Sequence, residues 1–189
     1  FHAFSTMKDG NMSNFILAQK QDTDLVWKNR RIFLKKTGID YRNTICVGVM
    51  HKNNIHVANP KLAGISMRDY KSVVKCDGLI TNQKNLYLFM EVADCLPIIL
   101  YDPILEVVAV AHAGWRGVDL NIAGIAINTF KEKFGSRLEN IIVGLGPAAQ
   151  KESYSKSNPI QINNPMWKGF IKSQKGENIY SLDFVGLCK

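Results

Sequence analysis

One segment constrains this chain more than any other. A run of valine and alanine at 107–111 leads into His112-Ala113-Gly114-Trp115-Arg116-Gly117. Ile122, Ala126, Phe130 and Phe134 then recur every fourth residue. The first run reads as a buried strand. Residues four apart fall on one stripe of an α-helix, so the second reads as an amphipathic helix. Lys131 and Lys133 suit its negative end, and Gly135 suits its stop. A buried strand feeding a helix through a glycine-bracketed turn needs a sheet around it and a helix layer over it.

The remaining residues supply those parts. A helix is predicted at 24–36, with Asp24 as its cap, Leu25, Asn29, Ile32 and Phe33 near one face, and Gly38 at its end. Strands are predicted at 44–50, 79–81, 86–92, 98–101 and 141–144. A turn-like Ala93-Asp94-Cys95-Leu96-Pro97 separates two of them, and Gly146-Pro147 breaks the last. From 150 to 176 the pattern is weak and polar. No repeat or low-complexity linker is visible. The expected fold is α+β, a single domain over residues 1–189 with one mixed β-sheet core flanked by helices.

Composition narrows the function classes. Hydrophobic residues form 46% of the 189 and charged residues 21%, a globular mixture that excludes a disordered chain. No apolar run approaches the roughly 20 residues that span a bilayer, so no membrane partner is expected. The net charge of +8 could favour nucleic acid or phosphate-bearing molecules. The basic residues are scattered, however. The densest, Arg30-Arg31 and Lys35-Lys36, read as the solvated face of a helix, and no nucleic-acid partner is expected. The four cysteines, Cys46, Cys76, Cys95 and Cys188, form no CxxC pair. With no basic-then-apolar leader in view, a reduced, cytoplasmic setting is the expectation. Nothing here sets the oligomeric state.

His51, Cys95 and His112 each follow a predicted strand, on loops held by a rigid scaffold. Two imidazoles and a thiolate are a sound ligand set for zinc, with a fourth position open to water or substrate. The plainer reading makes the histidines hydrogen-bonded scaffolding and the cysteine a small buried hydrophobe. Asp94 can orient a ligand from behind or close its own turn. Gly114 and Gly117 let the backbone approach a ligand closely, and Arg116 offers a phosphate a fork of donors at a helix start. Alternatively, Trp115 packs the core and Arg116 pairs with a surface acid. His2 and His56 are expected outside any site. No Walker loop, GxGxxG, GxSxG or HExxH occurs.

Three strings together resemble the YfiH/laccase-domain family, also called the multicopper polyphenol oxidoreductase laccase family. They are Cys76-Asp77-Gly78-Leu79-Ile80-Thr81, Val92-Ala93-Asp94-Cys95-Leu96-Pro97 and Ala109-Val110-Ala111-His112-Ala113-Gly114-Trp115-Arg116-Gly117. The opening His2-Ala3-Phe4-Ser5-Thr6, Asn29-Arg30-Arg31 and Gly146-Pro147-Ala148 with Tyr154 are similar to it as well. The resemblance implies a zinc site of His51, Cys95 and His112. It also implies phosphorolysis of adenosine, inosine, guanosine and methylthioadenosine, with adenosine deamination as a second activity. Purine nucleoside and phosphate are then the partners. Cys95, Asp94 and Arg116 are the expected catalytic positions, with Asp77 a second candidate carboxylate. Copper-dependent phenol oxidation is the alternative, and a non-catalytic zinc- or nucleoside-binding member is a third reading. The chain departs from the family pattern at Met7, Lys8-Asp9-Gly10, Met50, Lys52, Glu152 and Ser153. Its end at Lys189 is expected to fall short of the family's final arginine-containing stretch.

Overall fold

The computed structural model describes residues 1–16, 19–174 and 178–189. Residues 175–177, at the end of the polar stretch, lie outside the described residues. In chain order the strands are β1 (Phe15–Ile16), β2 (Gln19–Lys20), β3 (Thr44–Gly48), β4 (Ile55–Val57), β5 (Val74–Lys75), β6 (Gly78–Thr81) and β7 (Tyr87–Phe89). They continue with β8 (Leu96–Asp102), β9 (Val107–Ala113), β10 (Ile142–Leu145), β11 (Ser155–Ser157), β12 (Ile171–Ser173) and β13 (Ile179–Leu182). The α-helices are α1 (Thr23–Lys36), α2 (Ile65–Arg68), α3 (Trp115–Asp119), α4 (Ile122–Phe134) and α5 (Phe184–Leu187).

The expected α+β fold with helices against mixed sheet is present. Its central sheet has the order β10-β8-β9-β6-β4. All its pairs are antiparallel except β4 with β6. A parallel sheet, β5-β3-β7, stands beside it, and an antiparallel sheet, β11-β13-β12, follows later in the chain. Buried side chains accordingly form three clusters among the described residues, where the sequence suggested one core.

Strand β9 explains the layering. It pairs with β8 on one edge and β6 on the other. Side chains alternate across a strand, so odd and even residues serve different layers. Val107, Ala109, Ala111 and Ala113 pack in the cluster that holds Ile122, Ala126 and Phe130 of α4, while Val110 packs in the opposite cluster with Leu79 and Ile45. The alanines leave room for α4 to lie close to the sheet. Asp102 shapes the β8–β9 turn, its carboxylate accepting from the Ile104 and Leu105 N–H groups.

The stripe of α4 is as expected: Ile122, Ala126 and Phe130 are fully buried, and Gly135 ends the helix at φ 76°. The helical region divides, though. Asn121 takes a left-handed conformation and caps α4 through the Gly124 N–H, so α3 is a separate short helix.

Helix α1 departs from expectation in two ways. Asp22, not Asp24, is the cap, accepting from the Asp24 and Leu25 N–H groups. Its buried face is Val26, Arg30 and Leu34, whereas Leu25 and Ile32 are exposed. Gly38 does end it: the Ile39 N–H reaches Leu34 O at 3.0 Å and the Gly38 N–H reaches Lys35 O at 3.2 Å. Arg30 is not part of a solvated basic face. It is 1% exposed, pairs with Glu91, and donates to the Met12 and Met67 carbonyls. A buried charge so compensated rotates the inner face by one position, which apolar periodicity alone does not reveal.

Phe130→Ala is expected to cost about 3–5 kcal/mol through loss of buried area and a residual cavity under β9. The readout is a lower urea midpoint at unchanged slope; a loss below about 1 kcal/mol would contradict this packing.

Candidate active site

The site is built at the end of β9. His112 is the penultimate residue of that strand rather than part of the following loop, and it is 3% exposed. By alternation it shares the face of Val110, away from α4. Pro97 of β8 lies opposite His112, and Leu96 opposite Ala113, so Cys95 falls opposite Gly114. A Cβ placed on Gly114 would lie 3.0 Å from Cys95 Sγ and 3.4 Å from His112 Cε1. Gly114 is extended (φ −78°, ψ 172°), so its glycine serves space rather than backbone freedom. Its missing side chain lets thiol and imidazole sit side by side.

His51 arrives from the loop after β3, in a left-handed conformation at φ 56°. Its ring stands 5.1 Å from the His112 ring, centroid to centroid, and nearly perpendicular to it. Asp77 ties this loop to His112. Its carboxylate is fully buried and accepts from the Met50 N–H at 3.1 Å. The same oxygen lies 3.9 Å from His112 Nδ1, beyond hydrogen-bond reach. Among the described residues, Asp77 Oδ2 and His112 Nδ1 have no hydrogen-bond partner.

His51, Cys95, Trp115, Arg116 and Tyr154 line a hollow of about 170 Å³ closed by Gly114 and Gly117. Trp115 is half-buried and packs on the central core, and Arg116 lies over its ring with Cζ 4.3 Å from the centroid. Arg116 therefore meets an aromatic face instead of the surface acid that the plainer sequence reading suggested. Tyr154 is braced edge-on against Phe184. Asp94 is exposed at the rim in a left-handed turn, with its carbonyl accepting from the Ala149 N–H. His56 lies on β4 and His2 beside Phe4, both outside the hollow. A larger groove of about 550 Å³ near Trp167 is lined by no His, Cys, Asp or Glu; Lys168 and Tyr180 are its titratable side chains.

The three expected ligands thus reach one neighbourhood but do not yet surround a point. Among the described residues, no group of three His, Cys, Asp or Glu side chains is disposed to hold a metal ion as placed. The donor chemistry nevertheless fits a soft divalent ion. Burial, then His51, lowers the His112 pKa to about 4, so its imidazole is neutral at pH 7. Its Nδ1 lies near a buried carboxylate, 3.9 Å from Asp77 Oδ1, and a hydrogen bond to such a group is what orients a ligating histidine through its other nitrogen. Burial, then Asp94, raises the Cys95 pKa, so without a metal it is a thiol and a poor nucleophile. Burial, then Cys95 and Asp94, also raises that of Tyr154.

Lys156 had no part in the sequence reading. It sits on β11 with Nζ 3.5 Å from the Trp115 ring centroid. No local motif marks it; only the return of β11 to α3 brings it there.

One hollow in an α+β fold thus gathers an imidazole, a thiol, an indole and a guanidinium. The multi-copper polyphenol oxidoreductase laccase family model matches residues 2–187, and the chain belongs to that family. It is 32% identical over 136 residues to the purine nucleoside phosphorylase YlmD of Bacillus subtilis, covering 71% of this chain and 49% of that protein. It is 30% identical over 156 residues to the human purine nucleoside phosphorylase LACC1, covering 78% of this chain and 34% of that one. The chain therefore spans half or less of the length of these two relatives. Among solved structures, Bacillus licheniformis hypothetical protein YfiH superposes with a TM-score of 0.83 at 25% identity, covering 94% of this chain and 68% of that one. No helix among the described residues is long and apolar enough to cross a membrane.

The His112 assignment predicts a pH dependence in the metal-free protein. Unfolded, the imidazole protonates near its ordinary 6.5; folded, only near about 4. The unfolded state thus binds the extra proton first, and stability falls as pH drops through that window. His112→Gln should flatten this slope in urea titrations from pH 7 to 4. An unchanged slope would show that His112 is not held neutral.

Proposed function

We propose that the chain carries the site of a purine nucleoside phosphorylase, acting on adenosine and also on inosine, guanosine and methylthioadenosine, with adenosine deamination as a second activity. The observation that carries this reading is Arg116 on the Trp115 ring beside His51 and Cys95 in one hollow. Aromatic side chains at Trp115 and Tyr154 suit a purine as walls, and a guanidinium suits phosphate. The curated relatives' names point the same way.

In phosphorolysis a phosphate oxygen bonds to C1′ of the ribose as the C1′–N9 bond breaks. The electron pair leaves with the base, which takes up a proton. The protein must hold the dianion in line and stabilise charge on the departing purine. Arg116 binds the phosphate. Trp115 and Tyr154 bound the base. In deamination water replaces the amine at C6 and ammonia leaves. Asp94, at the rim, carries the proton; Asp77, buried behind His112, is a positioning residue.

His51, Cys95 and His112 would hold zinc, with Cys95 as ligand rather than nucleophile. His51 is exposed, and the reading requires its side chain to turn toward the other two. A zinc ion there would supply Lewis acidity toward a bound oxygen. Imidazole and thiol donors also suit copper, which keeps phenol oxidation as the alternative. With four free cysteines, the reading places the protein in the cytoplasm, where thiols stay reduced.

The test is incubation with adenosine, with and without phosphate, and separation of adenine, inosine and ribose 1-phosphate. Adenine that appears only with phosphate is expected. Zinc-loaded protein that releases neither base nor inosine refutes the catalytic reading, and phenol oxidation that requires copper would favour the alternative. Cys95→Ala should lose bound zinc; full retention would refute the ligand assignment.

A further inference from the structure

Two cations share the Trp115 indole. Lys156 Nζ is 3.5 Å and Arg116 Cζ 4.3 Å from the ring centroid. Burial, then the Arg116 charge, lowers the Lys156 pKa. Neither cation forms an ion pair among the described residues. Asp119 is the acid whose charge reaches Lys156. Its carboxylate, however, accepts from the Gln161 and Asn164 amides and the Trp167 indole N–H, which commits it to the neighbouring turns. The two cations thus stand without a directly paired acid at the wall of the hollow that Arg116 lines, with Asp119 and, across Tyr154, Asp94 as the acids whose charge reaches this corner.

Placement is as important as charge. Lys156 lies on a paired strand, opposite Tyr180 of β13, and two residues from Tyr154 in the hollow. Its ammonium is thus carried on sheet rather than on a loose turn. Like charges held near one another cost electrostatic energy that an anion within reach of both would return. A guanidinium fork and an ammonium point charge are complementary ways to bind a tetrahedral oxyanion.

We propose that Lys156 and Arg116 form a two-cation clamp for inorganic phosphate at the rim of the His51–Cys95 hollow, with Lys156 a phosphate-binding residue. The clamp rests on the phosphorolysis reading for its purpose, but its binding can be measured without turnover. Phosphate held here stands beside the space assigned to the nucleoside, so Lys156 would set the affinity for phosphate more than that for the purine.

The experiment titrates inorganic phosphate by calorimetry into the unaltered protein, Lys156→Met, Lys156→Arg and Lys151→Met. It also measures initial rates with adenosine over a range of phosphate. Lys156→Met should weaken phosphate binding roughly tenfold or more, the worth of one charge-assisted hydrogen bond. The KM for phosphate should rise accordingly, with the KM for adenosine little changed. Lys156→Arg should restore most of the affinity. Lys151→Met, which removes an exposed charge from the preceding turn, should leave it unchanged. Native phosphate affinity in Lys156→Met, or an equal loss in Lys151→Met, overturns the clamp. Lys156-dependent binding of adenosine 5′-monophosphate without binding of inorganic phosphate overturns it in favour of a nucleotide phosphate. Lys156-dependent phosphate binding without adenine release upholds the clamp and refutes phosphorolysis. An active enzyme whose phosphate KM ignores Lys156 does the reverse.

Discussion

Strand β9 is hydrogen-bonded along both edges and covered on both faces, and His112, Cys95 and the Gly114–Gly117 turn take their positions from it. A strand so enclosed cannot shift register without turning its whole inner face outward. His112 is therefore fixed in depth and direction. Cys95 is fixed too, because β8 pairs in a single register that sets the thiol opposite Gly114. Gly117 extends the constraint: a Cβ there would lie 3.1 Å from the His112 carbonyl and 3.3 Å from that of Lys52, so α3 and the His51 loop meet on a bare backbone. His51 itself is less restrained and is the most exposed of the three expected ligands.

The site separates two kinds of chemistry by burial. On the inner side a neutral imidazole, a thiol and a buried carboxylate stand in a poorly solvated corner. On the outer side two cations rest on an indole. The first group favours a soft metal ion because its donors are uncharged or readily deprotonated by the metal. The second favours an oxyanion. Of the basic residues that the sequence scatters along the chain, Arg116 and Lys156 meet at one indole, whereas Arg30 is buried against Glu91 and Arg42 is paired with Asp40.

Local pattern made several features legible. The valine–alanine run gave β9, and fourfold spacing gave the buried stripe of α4. Gly38 and Gly135 marked helix ends because their left-handed conformations are a local matter. His51, Cys95 and His112 could be named from strand ends and from the family strings. Features made by distant contacts were less visible. Asp77 was one of two undecided carboxylates until packing set it behind His112, while Asp94 lies at the rim. Lys156 looked like any surface lysine, since its partner Trp115 belongs to another part of the chain. The inner face of α1 was displaced because Arg30 is buried through partners at Met12, Met67 and Glu91, none of them near it in sequence. The division into several sheets likewise follows from pairing between strands, which alternation within one strand does not encode.

The central claim is that Gly114 leaves room for Cys95 and His112 to act together with His51 as one ligand set. X-ray absorption at the zinc edge of the zinc-loaded protein tests it most directly. The account predicts one sulfur and two imidazole nitrogens in the inner shell, with the sulfur signal lost in Cys95→Ala. A shell of oxygen and nitrogen alone, unchanged by that substitution, would contradict it.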